Sequence, residues 1–434
     1  MKMSFMRRSL LPTPYSLIAM VLLVFFGPEY LHSQEVYDLE RCIQTGLERN
    51  FALQVVRNEE EISSDNYTRG NAGMLPEIST TNQLGGTAGY RSSLTGGIDV
   101  DMTIFRGFQV KYSYEKLGVL KEVGGLNTQM SVENLVARIV SEYNYFLEQQ
   151  TLYQNLAYAV SLSRERVRID EERYLLGGAS KLELLQSVVY LNADSSRLAR
   201  QNEVLRSSEI RLNILMASEN PGENIVLKDT IIDIDEGLVY EDLLQSTMKY
   251  NTSLQIASRN LTITELDYRI IASRSYPYLA LSTGYGYSRT DGSSGPQSFH
   301  GLGYGVTLGM NIFDGFNERR ERNNARIQIE NRQTLYREVE QEVKADLLNI
   351  YFAYENNLRL LRLEEQNLEV ARENLDIAME RYKLGNLAGL ELREVQKSLL
   401  DAEERLISVK YLTKLAEISL LQMAGRIMDY TQDA

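Results

Sequence analysis

One cysteine, Cys42, and two histidines, His32 and His300, are all that 434 residues offer of the side chains that build most metal and nucleophile sites. A lone cysteine forms no intrachain disulfide. Its neighbours Leu39, Ile43 and Leu47 at helical spacing mark it as a buried structural thiol rather than a reactive one. A histidine-based triad or a zinc centre needs partners that are missing, so no catalytic residue, metal or cofactor is expected. Counting alone leaves a Ser-Lys or two-carboxylate site open. No glycine-rich loop follows a strand and opens a helix, which removes the usual phosphate cradle. Basic clusters are absent too. The formal net charge is -13, and removing residues 1–33, with three basic side chains and one acid, takes it to -15. Such a chain makes a poor partner for nucleic acid. Beyond the N-terminus no segment reaches ~18 consecutive apolar residues, so any membrane spanning falls to strands.

The N-terminus itself reads as a signal peptide over residues 1–33. Lys2, Arg7 and Arg8 precede a mostly apolar run from Tyr15 to Phe26, too short to span a bilayer comfortably. Cleavage is placed after Ser33, although Leu31-His32-Ser33 is a poor small-x-small site. Leu39-Glu40-Arg41 before Cys42 does not resemble a lipid-attachment sequence.

What the chain does have is one unit written twice. Asn50, Gln54, Ile62, Tyr67 and Pro76 recur 201 residues later as Asn251, Gln255, Ile263, Tyr268 and Pro277. Further on the spacing becomes 208: Ile104-Phe105-Arg106-Gly107-Phe108 returns as Ile312-Phe313-Asp314-Gly315-Phe316, and Arg173-Tyr174-x-Leu176-Gly177 as Arg381-Tyr382-x-Leu384-Gly385. Leu182-Glu183-Leu184 then answers to Leu390-Glu391-Leu392. The shift falls inside a hairpin, as a duplication with one longer loop requires. The repeats divide the chain at 34–224 and 225–434.

Each copy carries a period-two segment. Leu302, Tyr304, Val306, Leu308, Met310 and Ile312 alternate with Gly303, Gly305, Thr307, Gly309 and Asn311. Leu279, Leu281, Tyr285 and Tyr287 form one face of its partner. In the first copy Ile98, Val100, Met102 and Ile104 alternate with Asp99, Asp101 and Thr103, and Ile78, Leu84, Ala88 and Tyr90 suggest a weaker strand upstream. Hairpins are expected at about 78–105 and 279–313, with strands long enough to cross a bilayer when tilted. Phe105, Phe108, Phe313 and Phe316 stand where an aromatic belt meets the membrane surface. Asp99 and Asp101, on the polar side, are candidates for a barrel lumen. Four strands cannot close alone, and open edges are not tolerated in lipid, so closure calls for further copies.

Around the hairpins the apolar period turns helical. Val132, Leu135, Val136, Ile139, Val140 and Tyr143 represent one rod, expected over about 108–176. Leu347, Ile350, Tyr351, Tyr354 and Leu358 represent the other, over about 316–384. Each would be roughly 100 Å long. Shorter helices are expected at 39–71, 182–217, 240–274 and 390–425. Gly124-Gly125 allows a local bend in the first rod. Ile225 to Ile234 reads as an extended linker between the copies, suited to a collar around the rods.

A signal peptide, then helix, hairpin, long helix, turn and helix, written twice with Phe-x-Gly-Phe after each hairpin and Tyr-x-x-Gly at each turn, resembles the TolC family of outer-membrane efflux proteins. The resemblance implies an α/β membrane protein with no catalytic activity. It would be a homotrimer whose hairpins close a twelve-stranded barrel in outer-membrane lipid and whose helices continue as a periplasmic tunnel. It further implies cargo delivered by an inner-membrane pump of RND or ABC type through a periplasmic adaptor. The turns Gly177 to Leu182 and Gly385 to Leu390 would form the tip where adaptors dock. Glu183, Glu391 and Glu394 are candidates for a constriction there, Glu391 being best placed, unless neighbours such as Arg393 pair with them. Tyr174 and Tyr382 would bond across helices or simply pack. Leu387 stands where a basic gate residue occurs in the family, which points to a different latch. An exported trimeric stalk, structural or adhesive and without transport, is the alternative that keeps the rods but has no use for the hairpins.

Overall fold

The computed structural model describes residues 36–87, 91–292 and 295–431. The signal peptide with its cleavage position, and Ala88 and Tyr90, lie outside the described residues.

In chain order the elements are β1 (Val36–Tyr37), α1 (Leu39–Arg49), α2 (Phe51–Asn66), β2 (Glu77–Thr87), β3 (Arg91–Arg106), α3 (Gln109–Leu175) and α4 (Lys181–Leu215). The second copy repeats them as β4 (Val226–Leu227), α5 (Tyr240–Tyr250), α6 (Thr252–Ala272), β5 (Tyr278–Gly292), β6 (Gly295–Gly309), α7 (Asn317–Lys383) and α8 (Gly389–Met423). The matched asparagines break each leading helix in two. Asn50 accepts from the Leu53 N–H and donates its amide to the Leu215 carbonyl at 3.1 Å, the last residue of α4. Asn251 does the same with the Leu254 N–H and the Met423 carbonyl that ends α8. Gln54 and Gln255 cover the carbonyls of Arg49 and Tyr250. The repeat signature therefore marks places where helix ends, whose backbone groups have no partner of their own, are satisfied by side chains.

α3 and α7 are 67 residues each, about 100 Å at 1.5 Å per residue. On α7 the buried side chains Leu347, Tyr354, Leu361, Leu368, Leu375 and Tyr382 fall every seven residues. They meet Leu392, Leu399, Leu406 and Leu420 on α8, with buried Thr413 keeping the same step. Sustained heptads on antiparallel neighbours make a coiled coil, and α3 with α4 forms the first-copy equivalent. Midway along the rods, α1, α5 and the linker pack around Ile43, Val136, Ile139, Leu212, Leu347 and Leu420. Cys42 is fully buried in this core, and burial pushes its thiol up to about 12.

The linker crosses both rods. β4 pairs in parallel with β1, the Tyr143 hydroxyl donates to Asp229 at 2.6 Å, the Tyr354 hydroxyl donates to the Asp235 carbonyl, and the Asp235 N–H donates to Glu417. Gly124 and Gly125 do not break α3, whose helix runs through them. A Cβ on Gly124 would stand 3.0 Å from that of Ser63, so the missing side chain lets α2 approach rather than bending the rod.

The four longer strands form one antiparallel sheet in the order β2-β3-β5-β6. Rows of its register separate the faces. Ile98, Tyr285 and Leu302 share one row, and Met102, Leu281 and Val306 another; the opposite face carries Asp101, Ser282 and Gly305, then Asp99, Gly284 and Gly303. Two details differ from the sequence reading. β6 stops at Gly309, because the chain opposite Met310 to Phe313 has already left the sheet for a short 3-10 turn at Ser273–Ser275 and offers no strand to pair with. A bulge at Ile104 ends the simple alternation, so that Phe105 sits opposite Leu279 and Arg106 opposite Tyr278.

Candidate functional site at the helical tip

The two turns at the far end of the coiled coils are built alike. Gly177 and Gly385 take φ of 78° and 77°. In the first turn the Gly177 and Gly178 N–H groups reach back to the Tyr174 and Arg173 carbonyls. In the second, Gly385 and Asn386 reach Tyr382 and Arg381. This left-handed close of a helix is where glycine costs least. Around the turns Leu175, Leu176, Leu182, Leu384 and Leu390 are all more than half exposed, a cluster of apolar side chains presented at the end of the molecule.

The copies part company at the next residues. Ser180 and Glu183 form a capping box on α4: the Ser180 N–H donates to Glu183 at 2.7 Å and the Glu183 N–H to the Ser180 hydroxyl at 3.2 Å. The hydrogen bond from the Ser180 N–H holds the Glu183 carboxyl below its usual range. In the second copy the cap position is Ala388, which has no side-chain oxygen. Glu391 is therefore left without that partner, and neither it nor Glu394 has a hydrogen bond or ion pair among the described residues. Both are exposed.

Arg393 does not pair with these glutamates. It reaches across to α4 and grips Asp194 with two bonds of 2.7 and 2.8 Å, while the Ser163 hydroxyl on α3 donates to the same carboxylate at 2.5 Å. Burial works against charge on Asp194, but the bonds from Arg393 and Ser163 outweigh it and hold its carboxyl below the usual aspartate range. A second link joins α7 to α3, where the Tyr382 hydroxyl donates to Asp170. Burial, and then that bond, push the Tyr382 hydroxyl up to about 12. Tyr174, its counterpart, is exposed. Arg166 lies between these groups, over the rings of Tyr190 at 5.1 Å and Tyr382 at 5.8 Å. Sequence reasoning missed Ser163, Arg166, Asp170 and Asp194. The available signal was charge on a coiled-coil seam, which is rare unless paired.

At the other end, the sheet puts Asp99 and Asp101 on its Gly/Ser/Thr-rich face, beside Gly284 and Ser282, with Glu77 next to Asp101. Phe105 with Phe108, and Phe313 with Phe316, make matching edge-to-face pairs at 5.2 Å. Phe108 and Phe316 both take left-handed backbone, with φ of 70° and 66°. The four rings stand where the strands hand over to the long helices.

Comparison with known proteins agrees with this architecture. A family model described as outer membrane efflux protein matches residues 243–426. The chain is 19% identical over 413 residues to a probable outer membrane lipoprotein, SilC, of Salmonella typhimurium, covering 89% of this chain and 85% of that one. Here the single cysteine is buried within α1. Among solved structures, CusC superposes with a TM-score of 0.75 at 16% identity, covering 89% of this chain and 92% of that one. The CmeC outer membrane channel of Campylobacter jejuni gives 0.74 at 15% identity, covering 89% and 85%. The open state of the MtrE outer membrane channel of Neisseria gonorrhoeae gives 0.68 at 18%, covering 89% of each. With hairpins, rods and duplication in place, residues 243–426, most of the second copy, match the outer membrane efflux protein family, and the whole fold is similar to that of outer membrane channels.

Proposed function

We propose that three copies of this chain close a twelve-stranded barrel in the outer membrane and a helical tunnel beneath it. Cargo enters from an inner-membrane pump of RND or ABC type through an adaptor seated on the tip. One observation carries this reading: a sheet with one apolar face and two unpaired edges, β2 and β6, continuous with rods of about 100 Å. Open edges are not tolerated in lipid, and a single four-stranded sheet cannot curl closed. Pairing β6 of one copy with β2 of the next removes every edge. Asp99 and Asp101 then line the lumen, and Phe105, Phe108, Phe313 and Phe316 mark the periplasmic membrane surface. The division into a signal peptide and two repeats at 34–224 and 225–434 belongs to the same reading.

The exposed leucines at Gly177 to Leu182 and Gly385 to Leu390 supply the apolar contact for an adaptor. Native mass measurement on detergent-extracted protein tests the assembly: a trimer, alone or with an adaptor, is expected. A monomer or a water-soluble particle would remove the barrel, and a trimer without conductance would leave only a stalk.

At the tip, threefold symmetry would gather Glu391 and Glu394 into rings that attract cations. The missing cap partner favours Glu391 over Glu183, whose carboxylate is engaged in holding α4. Replacing Glu391 and Glu394 together with glutamine is expected to reduce cation preference in bilayer recordings. Unchanged reversal potentials would sink the assignment.

A further inference from the structure

Arg166 and Asp170 are among the most buried charged side chains of the described residues, at 4% and 1% exposure, and their ion pair stays long, without the hydrogen bond that their spacing invites. Four residues apart on α3, they stop with Arg166 Nε 3.7 Å from Asp170 Oδ2. Nε and Nη1 of Arg166 and Oδ2 of Asp170 have no hydrogen-bond partner. Buried donors and acceptors left in this way are costly. Something holds the two apart. The guanidinium is kept over the rings of Tyr190 and Tyr382. Gly389 also lies against it, where a Cβ would come within 2.7 Å of Nη2.

Two of these three restraints, Tyr382 and Gly389, belong to the second coiled coil, while Arg166, Asp170 and Tyr190 belong to the first. Any separation of the coiled coils takes away the hydroxyl that satisfies Asp170 Oδ1. It also frees the guanidinium from two of its neighbours. Arg166 rides on the same helix as Asp170, so it stays within reach whatever α7 does.

We propose that Arg166 is the reserve partner of Asp170, closing onto it when the tip opens and Tyr382 departs. It is a positioning residue that gives the buried carboxylate a hydrogen-bonded partner in the opened state, where a carboxylate short of hydrogen bonds would otherwise force the tip shut. The inference rests on the tunnel reading above, because it needs a tip that opens. It also gives content to Leu387: the cation that serves this gate comes from α3, four residues before the aspartate, and not from the segment after Gly385.

The test uses purified full-length trimers in planar bilayers, with SDS-resistant trimer content as the check on assembly. Tyr382→Phe removes the closed-state bond and is expected to raise open occupancy. Arg166→Met, alone, is expected to leave the closed conductance unchanged, and in the Tyr382→Phe background to lower open occupancy about tenfold. Arg166→Lys should restore much of it. A side chain that merely held the tip together would act in the opposite direction, so a rise in conductance with Arg166→Met overturns the proposal, as does equal behaviour in both backgrounds. If Arg166→Met trimers do not form, Gly389→Ala carries the test. Its Cβ displaces the guanidinium from its seat against α8 and is expected to raise open occupancy; no change or a fall overturns the proposal. Folded trimers that give no current in any form, wild type included, would instead overturn the tunnel reading.

Discussion

Replacing Arg393 with methionine is expected to unlock the tip. The substitution keeps most of the side-chain volume and removes the guanidinium that holds Asp194 with two bonds. Asp194 is 1% exposed, so its carboxylate would keep only the Ser163 hydroxyl bond and the charge of Arg197, which makes no bond to it. Breaking a buried pair from one side costs about 3 kcal/mol at the lower end of the usual range, or roughly a hundredfold in a two-state equilibrium. Because Asp194 lies in the α3/α4 pair and Arg393 in α7/α8, the loss falls on contact between the two coiled coils. The measurement is bilayer conductance together with thermal unfolding of the trimer. If neither changes, the pair does not hold the tip. Arg168→Met is the control: its bonds to Glu165 and Glu172 are on the exposed surface, where ion pairs contribute little. The link also has an acid limit. Asp194 titrates lower in the folded protein than in the unfolded chain. Its contribution is therefore complete above the unfolded value and disappears as pH falls through the folded one.

Gly107→Ala should prevent normal assembly, whereas the equivalent change in the second copy, Gly315→Ala, should be mild. Both glycines have positive φ, 56° and 71°, and a side chain there costs about 1–2 kcal/mol. Their surroundings differ. A Cβ on Gly107 would overlap the Ser273 carbonyl oxygen and come within 2.7 Å of the Tyr276 Cβ. The β3-to-α3 junction would have to move away from the turn that feeds β5, adding overpacking of similar size for a total of about 3 kcal/mol or more. The nearest atom to a Cβ on Gly315 is 3.8 Å away, on Asn317. Yield and melting temperature of detergent-extracted trimer measure both. Equal losses at the two positions would show that backbone conformation alone matters there.

The glycine pair shows how far sequence carries. Phe-x-Gly-Phe was legible twice, and with it the handover from strand to rod, since the flanking periods change from two to helical at that motif. Which glycine is crowded was not legible, because Ser273 lies 166 positions away in the chain. The same holds at the tip. Tyr382 and Glu391 stand out from their place beside a repeated turn. Asp170, their tyrosine's partner, and Arg166 look in sequence like two more charges on a long amphipathic helix.

By itself the sequence determined the duplication, the length of the rods and the period of each element. These are local properties, set by where successive side chains point along a strand or a helix. The breaks at Asn50 and Asn251, in helices expected to run unbroken over 39–71 and 240–274, came from docking against the ends of α4 and α8. The tertiary structure decided the rest: that Glu183 is consumed by a cap while Glu391 is not, that Arg393 turns to Asp194, that β6 ends at Gly309, and that Arg166 is left waiting beside Asp170. Each of these depends on which elements dock and at what register. A buried polar group takes the partner that docking brings within reach, and its neighbours in the chain do not specify that partner.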